Sequence, residues 1–222
     1  MKVVFFCSGN GGNLKFIHLI SNYLKSDFSS IKIIALFTDR ECGAEIYAKS
    51  FGIDSYRHSF KRTISEDSEL INKLNELNPD IVITNVHKII SERVLNQTKC
   101  KFINLHYSIL PSFAGSIGMK PVDDAVLQGC KFLGATCHLV TKDLDLGPIL
   151  AQSIFHYDKS FFTYDLIFKS GCLALLSGIM NFSKDKEINL FQYKNILVNP
   201  GIDVSTKLID TIFEELDNIK TV

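Results

Sequence analysis

Residues 2–24 read KVVFFCSGNGGNLKFIHLISNYL. The run from Lys2 to Cys7 is apolar, short and closed by a turn, which predicts a buried strand. Ser8-Gly9-Asn10-Gly11-Gly12-Asn13 is that turn. Beyond it Leu14, Ile17, Ile20, Tyr23 and Leu24 recur near helical spacing, which predicts a helix over 14–24. Strand, glycine-rich turn and helix together make half of a βαβ unit.

The chain that follows repeats the pattern. A β-rich run at 31–37 precedes a helical stretch at 44–51. Residues 65–77, SEDSELINKLNEL, open with a serine and an acidic first turn, and Asn78-Pro79-Asp80 closes the helix. Strands are expected at 81–84 and 102–106. Strands separated by helices imply a parallel sheet covered on both faces, which accounts for apolar runs that do not alternate. Ligands of such sheets bind outside the carboxyl ends of the strands. The second half differs: 132–140 and 148–157 are long strand-like runs joined by 141–147, then helices at 163–182 and 204–219. The expected fold is α/β, a Rossmann-like doubly wound, mostly parallel sheet extended by a mixed or antiparallel C-terminal part. One catalytic domain over 1–185 and a C-terminal extension over 186–222, its helix packed on the same domain, are expected. The apolar stripe of that helix (Leu208, Ile209, Ile212, Phe213, Leu216) suits packing on its own core or a homodimer seam.

Twenty-four basic residues balance twenty-four acidic ones among 222. No net field draws the chain to nucleic acid or to an anionic membrane, so neither is an expected partner. The N-terminal apolar run lacks a small-x-small cleavage site and is far shorter than a membrane span, which predicts a cytoplasmic protein. The six cysteines form no C-x-x-C pair and lie near no His cluster at zinc spacing, so reduced structural thiols and no metal are expected.

Three loops after predicted strands carry polar residues. Gly11, Gly12 and Asn13 open a helix, where backbone N–H groups bind an anion readily; the same residues also make an ordinary tight turn with Asn13 as N-cap. Asn104, His106 and Ser108 fall on one side of a strand end. An amide beside an imidazole suits acyl transfer, the amide donating to an oxyanion and the ring moving a proton; a core histidine beside an asparagine reads the same. Asp145, ahead of Gly147-Pro148, either orients the imidazole and accepts protons or makes an Asx turn. His18, His58, His138 and His156 lie outside these motifs and read as structural or surface residues.

Taken in order, KVVFFCSGNGGNL, NPDIVITNVHKII, INLHYSILPSFAG and GATCHLVTKDLDLGPILAQ resemble the folate-dependent formyltransferases, most of all the phosphoribosylglycinamide (GAR) branch. The resemblance runs from Lys2 to about Phe182 and rests on N-x-H-x-S-x-L-P followed by L-D-x-G-P. It implies 10-formyltetrahydrofolate as co-substrate and direct attack of a primary amine on the formyl carbon. It gives Asn104 the oxyanion, His106 that oxygen or a proton, and Asp145 the orientation of the ring and the departing proton. It assigns Lys88, Ile89, Ile90, Val140, Thr141 and Asp145 to the pterin, and Gly11, Gly12, Asn13 and Ser108 to a phosphorylated acceptor.

Tyr107 stands where the family carries proline, Gly115-Ser116-Ile117-Gly118-Met119 replaces a His-containing loop, and Gly171 or its neighbours replace a glutamate that contacts glycinamide. The implied acceptor is GAR, in purine synthesis, or a nucleotide-linked amino sugar for surface polysaccharide. The tRNA-formylating relatives add an RNA-binding domain, for which length and charge leave no case. The formyltetrahydrofolate hydrolases carry an N-terminal regulatory domain, whereas a strand begins here at Lys2, so hydrolysis is not expected.

Overall fold

The computed structural model describes residues 1–24, 31–182 and 189–220. The chain forms two compact units, Met1–Ile103 with Ile209–Val222, and Asn104–Leu208. The expected boundary at 185/186 lies outside the described residues.

The first unit is a β/α alternation: β1 (Lys2–Cys7), α1 (Gly12–Tyr23), β2 (Lys32–Thr38), α2 (Gly43–Ser50), β3 (Asp54–Arg57), α3 (Ile64–Leu77), β4 (Ile81–Asn85), α4 (Glu92–Gln97) and the start of β5 (Lys101–His106). Their order is β3-β2-β1-β4-β5, and every pair is parallel. β1 is central, and Val3, Val4, Phe5 and Phe6 are fully buried. That is why its sequence shows no polar alternation. Phe6 meets Phe37, Phe60 and Phe102 with ring centroids at 5.4, 4.9 and 6.3 Å. Within this unit Phe213 of α7 (Thr206–Lys220) stacks on Phe16 of α1 at 5.2 Å, and Ile209, Ile212 and Leu216 are buried.

Local chemistry sets the ends. The Thr63 hydroxyl accepts the Glu66 N–H at 3.3 Å and starts α3 one residue before the expected Ser65, and Asn78 closes it at φ 47°. At α1 the expectation of Asn13 as N-cap is corrected. Gly11 occupies that position at φ 69°, with no side-chain cap. A Cβ there would lie 2.7 Å from the Ala44 Cβ, so both the backbone and the space call for glycine.

In the second unit β6 (Phe132–Leu139) and β7 (Ile149–His156) pair antiparallel, followed by β9 (Ile196–Asn199) and β8 (Phe191–Tyr193) in the order β6-β7-β9-β8. α5 (Lys120–Leu127) precedes them, and α6 (Tyr164–Asn181) packs on β6 and β7. α6 is buried from Ser170 to Ile179, so a run of apolar and small residues replaces a stripe. Its Ser170 hydroxyl bonds the Ser153 hydroxyl of β7 at 2.7 Å. The fold is thus α/β, parallel in the first unit and antiparallel in the second. Five short elements lack a sequence expectation: β3, α4, α5, β8 and β9. β3, DSYR, is polar and pairs with β2 alone. α5 did carry a signal, a proline in its first turn.

Candidate active site

The end of β5 presents Asn104 and His106, and β6 presents His138 one residue before its own end. The loop between β6 and β7 carries Asp145. Gly147 shapes that loop: a Cβ on it would lie 1.8 Å from the Leu139 carbonyl oxygen, so only glycine lets the two chains approach. Asp145 itself sits in the left-handed region, φ 56°.

These four side chains meet within the second unit. His106 Nδ1 is 3.4 Å from Asp145 Oδ2, and His138 Nε2 is 3.6 Å from Asp145 Oδ1. Asn104 Nδ2 is 3.5 Å from His138 Nε2. The Gly115 N–H donates to Asp145 Oδ2 at 2.8 Å, and His106 Nε2 lies 3.1 Å from the Phe113 carbonyl oxygen. The Asp145 side chain is 6% exposed and that of His106 5%. Low dielectric strengthens each of these contacts.

The charges follow from the surroundings. Burial pushes the His106 pKa below the ordinary imidazole range, outweighing the Asp145 carboxylate and the Phe113 carbonyl, which favour the charged ring. Burial acts to raise Asp145, but the two imidazoles beside it and the hydrogen bond from the Gly115 N–H hold it below the usual carboxylate range. The group therefore combines an ionised carboxylate, a ring with a lowered pKa and an amide. That is equipment for receiving a proton and donating to a developing oxyanion. Cys137, beside His138, is fully buried, and burial pushes its thiol up to about 12, so it is no nucleophile.

Each of the other predicted residues has surroundings of its own. The Ser108 hydroxyl donates to the Ser112 carbonyl at 2.6 Å, inside a turn. Val140 is half-buried after β6, and the exposed Thr141 hydroxyl donates to the Asp143 carbonyl at 3.0 Å. In the first unit Gly11 and Gly12 are half-buried at the start of α1, and Asn13 is buried. No acidic residue stands in that first turn. Lys88 and Ile89 are exposed and Ile90 is buried, between β4 and α4.

His138 is the residue sequence reading missed. It lies inside the apolar run of β6, and its contact with Asn104 over 34 positions leaves no local trace. Tyr107 packs on α6, where a Cβ at Gly171 would lie 2.6 Å from the Tyr107 ring. Two departures from the formyltransferase pattern are therefore one packing pair.

A family model described as formyl transferase matches residues 1–160. The formyltetrahydrofolate deformylase of Haemophilus influenzae is 32% identical over 105 residues, 47% of this chain and 37% of that protein. The chloroplastic phosphoribosylglycinamide formyltransferase of Arabidopsis thaliana is 31% identical over 160 residues, 68% of this chain and 54% of that one. The match thus spans just over a third of the first relative and about half of the second. Among solved structures, the phosphoribosylglycinamide formyltransferase of Brucella melitensis superposes with a TM-score of 0.69 at 27% identity, covering 83% of this chain and 97% of that one. Glycinamide ribonucleotide transformylase 1 of Symbiobacterium toebii gives 0.72 at 22% identity, over 88% and 92%, a likeness of fold. With the matched stretch carrying Asn104, His106, His138 and Asp145, the chain belongs to the formyl transferase family.

Proposed function

We propose that the chain transfers the formyl group of 10-formyltetrahydrofolate to a primary amine of a small phosphorylated acceptor, phosphoribosylglycinamide first among them. The meeting of Asn104, His106 and Asp145 in one group, joined through His138, carries this reading. The folate supplies the formyl carbon. As the amine adds to that carbon, the Asn104 NH₂ donates to the oxygen that gains charge, and His106 adds a second donor or moves a proton. Asp145 takes the amine proton through water or holds the imidazole that does. The new bond joins acceptor nitrogen to formyl carbon, the bond to folate N10 breaks, and N10 gains a proton, so no net proton is consumed. No enzyme nucleophile is required.

By the family resemblance, Lys88, Ile89 and Ile90 contact the pterin, as do Val140, Thr141 and Asp145. The opening of α1 at Gly11, Gly12 and Asn13 receives the acceptor phosphate through backbone N–H groups, and Ser108 also serves the acceptor. A cytoplasmic setting fits purine synthesis. Among the described residues no helix is long and apolar enough to cross a membrane.

Hydrolysis of the same folate is the second reading. The identity of the chain to formyltetrahydrofolate deformylases, 32% and 35% in two of them, favours it. The placement of the first strand at Lys2 no longer sets it aside. Here water takes the place of the amine and formate leaves, with the same residues in the same roles.

The test follows tetrahydrofolate release from 10-formyltetrahydrofolate by the full chain. Release that depends on GAR is expected. Release without acceptor assigns hydrolysis, and release only with a nucleotide-linked amino sugar moves the acceptor to that class. Silence in all three overturns formyl transfer.

A further inference from the structure

The two nitrogens of His138 face different partners. Nδ1 stands 2.9 Å from the Leu139 carbonyl oxygen. A carbonyl cannot donate, so the proton sits on Nδ1. In the neutral ring Nε2 is then a bare acceptor. The groups facing it are the Asn104 amide at 3.5 Å and Asp145 Oδ1 at 3.6 Å, while His106 reaches the other Asp145 oxygen at 3.4 Å. Of these, the Asn104 amide alone donates to a bare Nε2. Its NH₂ end, and not its carbonyl, must therefore turn to the ring. A carboxamide carries two N–H hydrogens, so one bond fixes its orientation without exhausting its donors. His138 is 2% exposed and keeps this geometry away from bulk water.

We propose that His138, locked as the Nδ1–H tautomer by the Leu139 carbonyl, is a positioning residue that orients the Asn104 amide as the oxyanion donor. This rests on the formyl-transfer reading for its kinetic consequence, but not for the tautomer. A protonated Nε2 turns from acceptor to donor and bonds Asp145, and the ring then no longer selects the NH₂ end of the Asn104 amide. The ring thus acts on turnover through Asn104.

Two measurements test this. The first is long-range ¹⁵N–¹H correlation of the imidazoles in the intact labelled chain at about pH 8, which needs no turnover. A His138 with protonated Nδ1 and bare Nε2 is expected, and the opposite tautomer overturns the proposal. The second is a set of variants. His138→Leu is expected to lower kcat by about a hundredfold, the scale of one oxyanion donor, with KM within about twofold. His138→Gln, which brings a carbonyl oxygen near the place of Nε2, is expected to recover most of that loss. In an Asn104→Ala background His138→Leu is expected to cost no more than about twofold, because coupled residues are not additive. An equal loss in both backgrounds overturns the proposal. Absence of turnover in the unaltered chain counts against formyl transfer alone, and the tautomer measurement still decides the orientation.

Discussion

The glycine-rich opening of α1 and the Asn104–His106–His138–Asp145 group are built from opposite materials. The first offers backbone: Gly11 sits at φ 69° against Ala44, and the nearby turn carries no acid. The second offers side chains, a carboxylate between two imidazoles with an amide beside one of them. A backbone site is harmed by adding atoms. A side-chain site is harmed by removing them or by changing one proton. The contrast explains why glycines mark one place and a buried acid the other.

Substitutions separate the two. The largest effect is expected from Asn104→Ala, a loss of about 10²–10³ in kcat with the melting temperature nearly unchanged, read by tetrahydrofolate release and calorimetry. Loss of less than about tenfold would take Asn104 out of the chemistry. Gly11→Val should act in the reverse sense. Added atoms meet Ala44 in a backbone conformation that L-residues avoid, so a destabilisation of about 1–3 kcal/mol is expected in urea unfolding. Unchanged stability would show that the loop yields without cost.

Acid sharpens the comparison further. His106 has a lowered pKa in the fold, so the unfolded chain binds its proton first. Its share of stability is complete above the ordinary imidazole value and is lost as pH falls below about 6.5. Asp145, also lowered, adds a loss only below the ordinary carboxylate range, near pH 4. His106→Gln should make the first decline in a pH series of unfolding midpoints shallower, His58, also held low by burial, keeping the rest of it, and leave the second. The smallest effect concerns packing beside the site. Gly171→Ala presses on the Tyr107 ring and should cost about 1–2 kcal/mol, and Tyr107→Ala in the same chain should return part of it.

The fold was legible where one element explains itself. Val3 to Phe6 are buried on both faces and read as a strand without any neighbour, and Thr63 and Asn78 announce the ends of α3 by local chemistry. β3 was not, because DSYR owes its strand to β2. The eight-residue stretch from Asn104 to Pro111 and the 143–148 loop stood out through residue type and turn chemistry. His138 did not, because a histidine inside an apolar run has no local mark, and its meaning lies in an asparagine on another strand. Ser108 shows the converse: a polar side chain in a telling motif whose hydroxyl closes its own turn.

The left-handed backbone at Asp145 sets folding and chemistry at odds. Asparagine prefers φ 56° at least as readily, has the same size and still accepts the Gly115 N–H. It cannot hold a negative charge between two imidazoles. A library varied at this position and sorted for soluble, folded chains should accept asparagine. The same library sorted for turnover should return aspartate. The disagreement between the two selections measures how far the residue is kept for its charge.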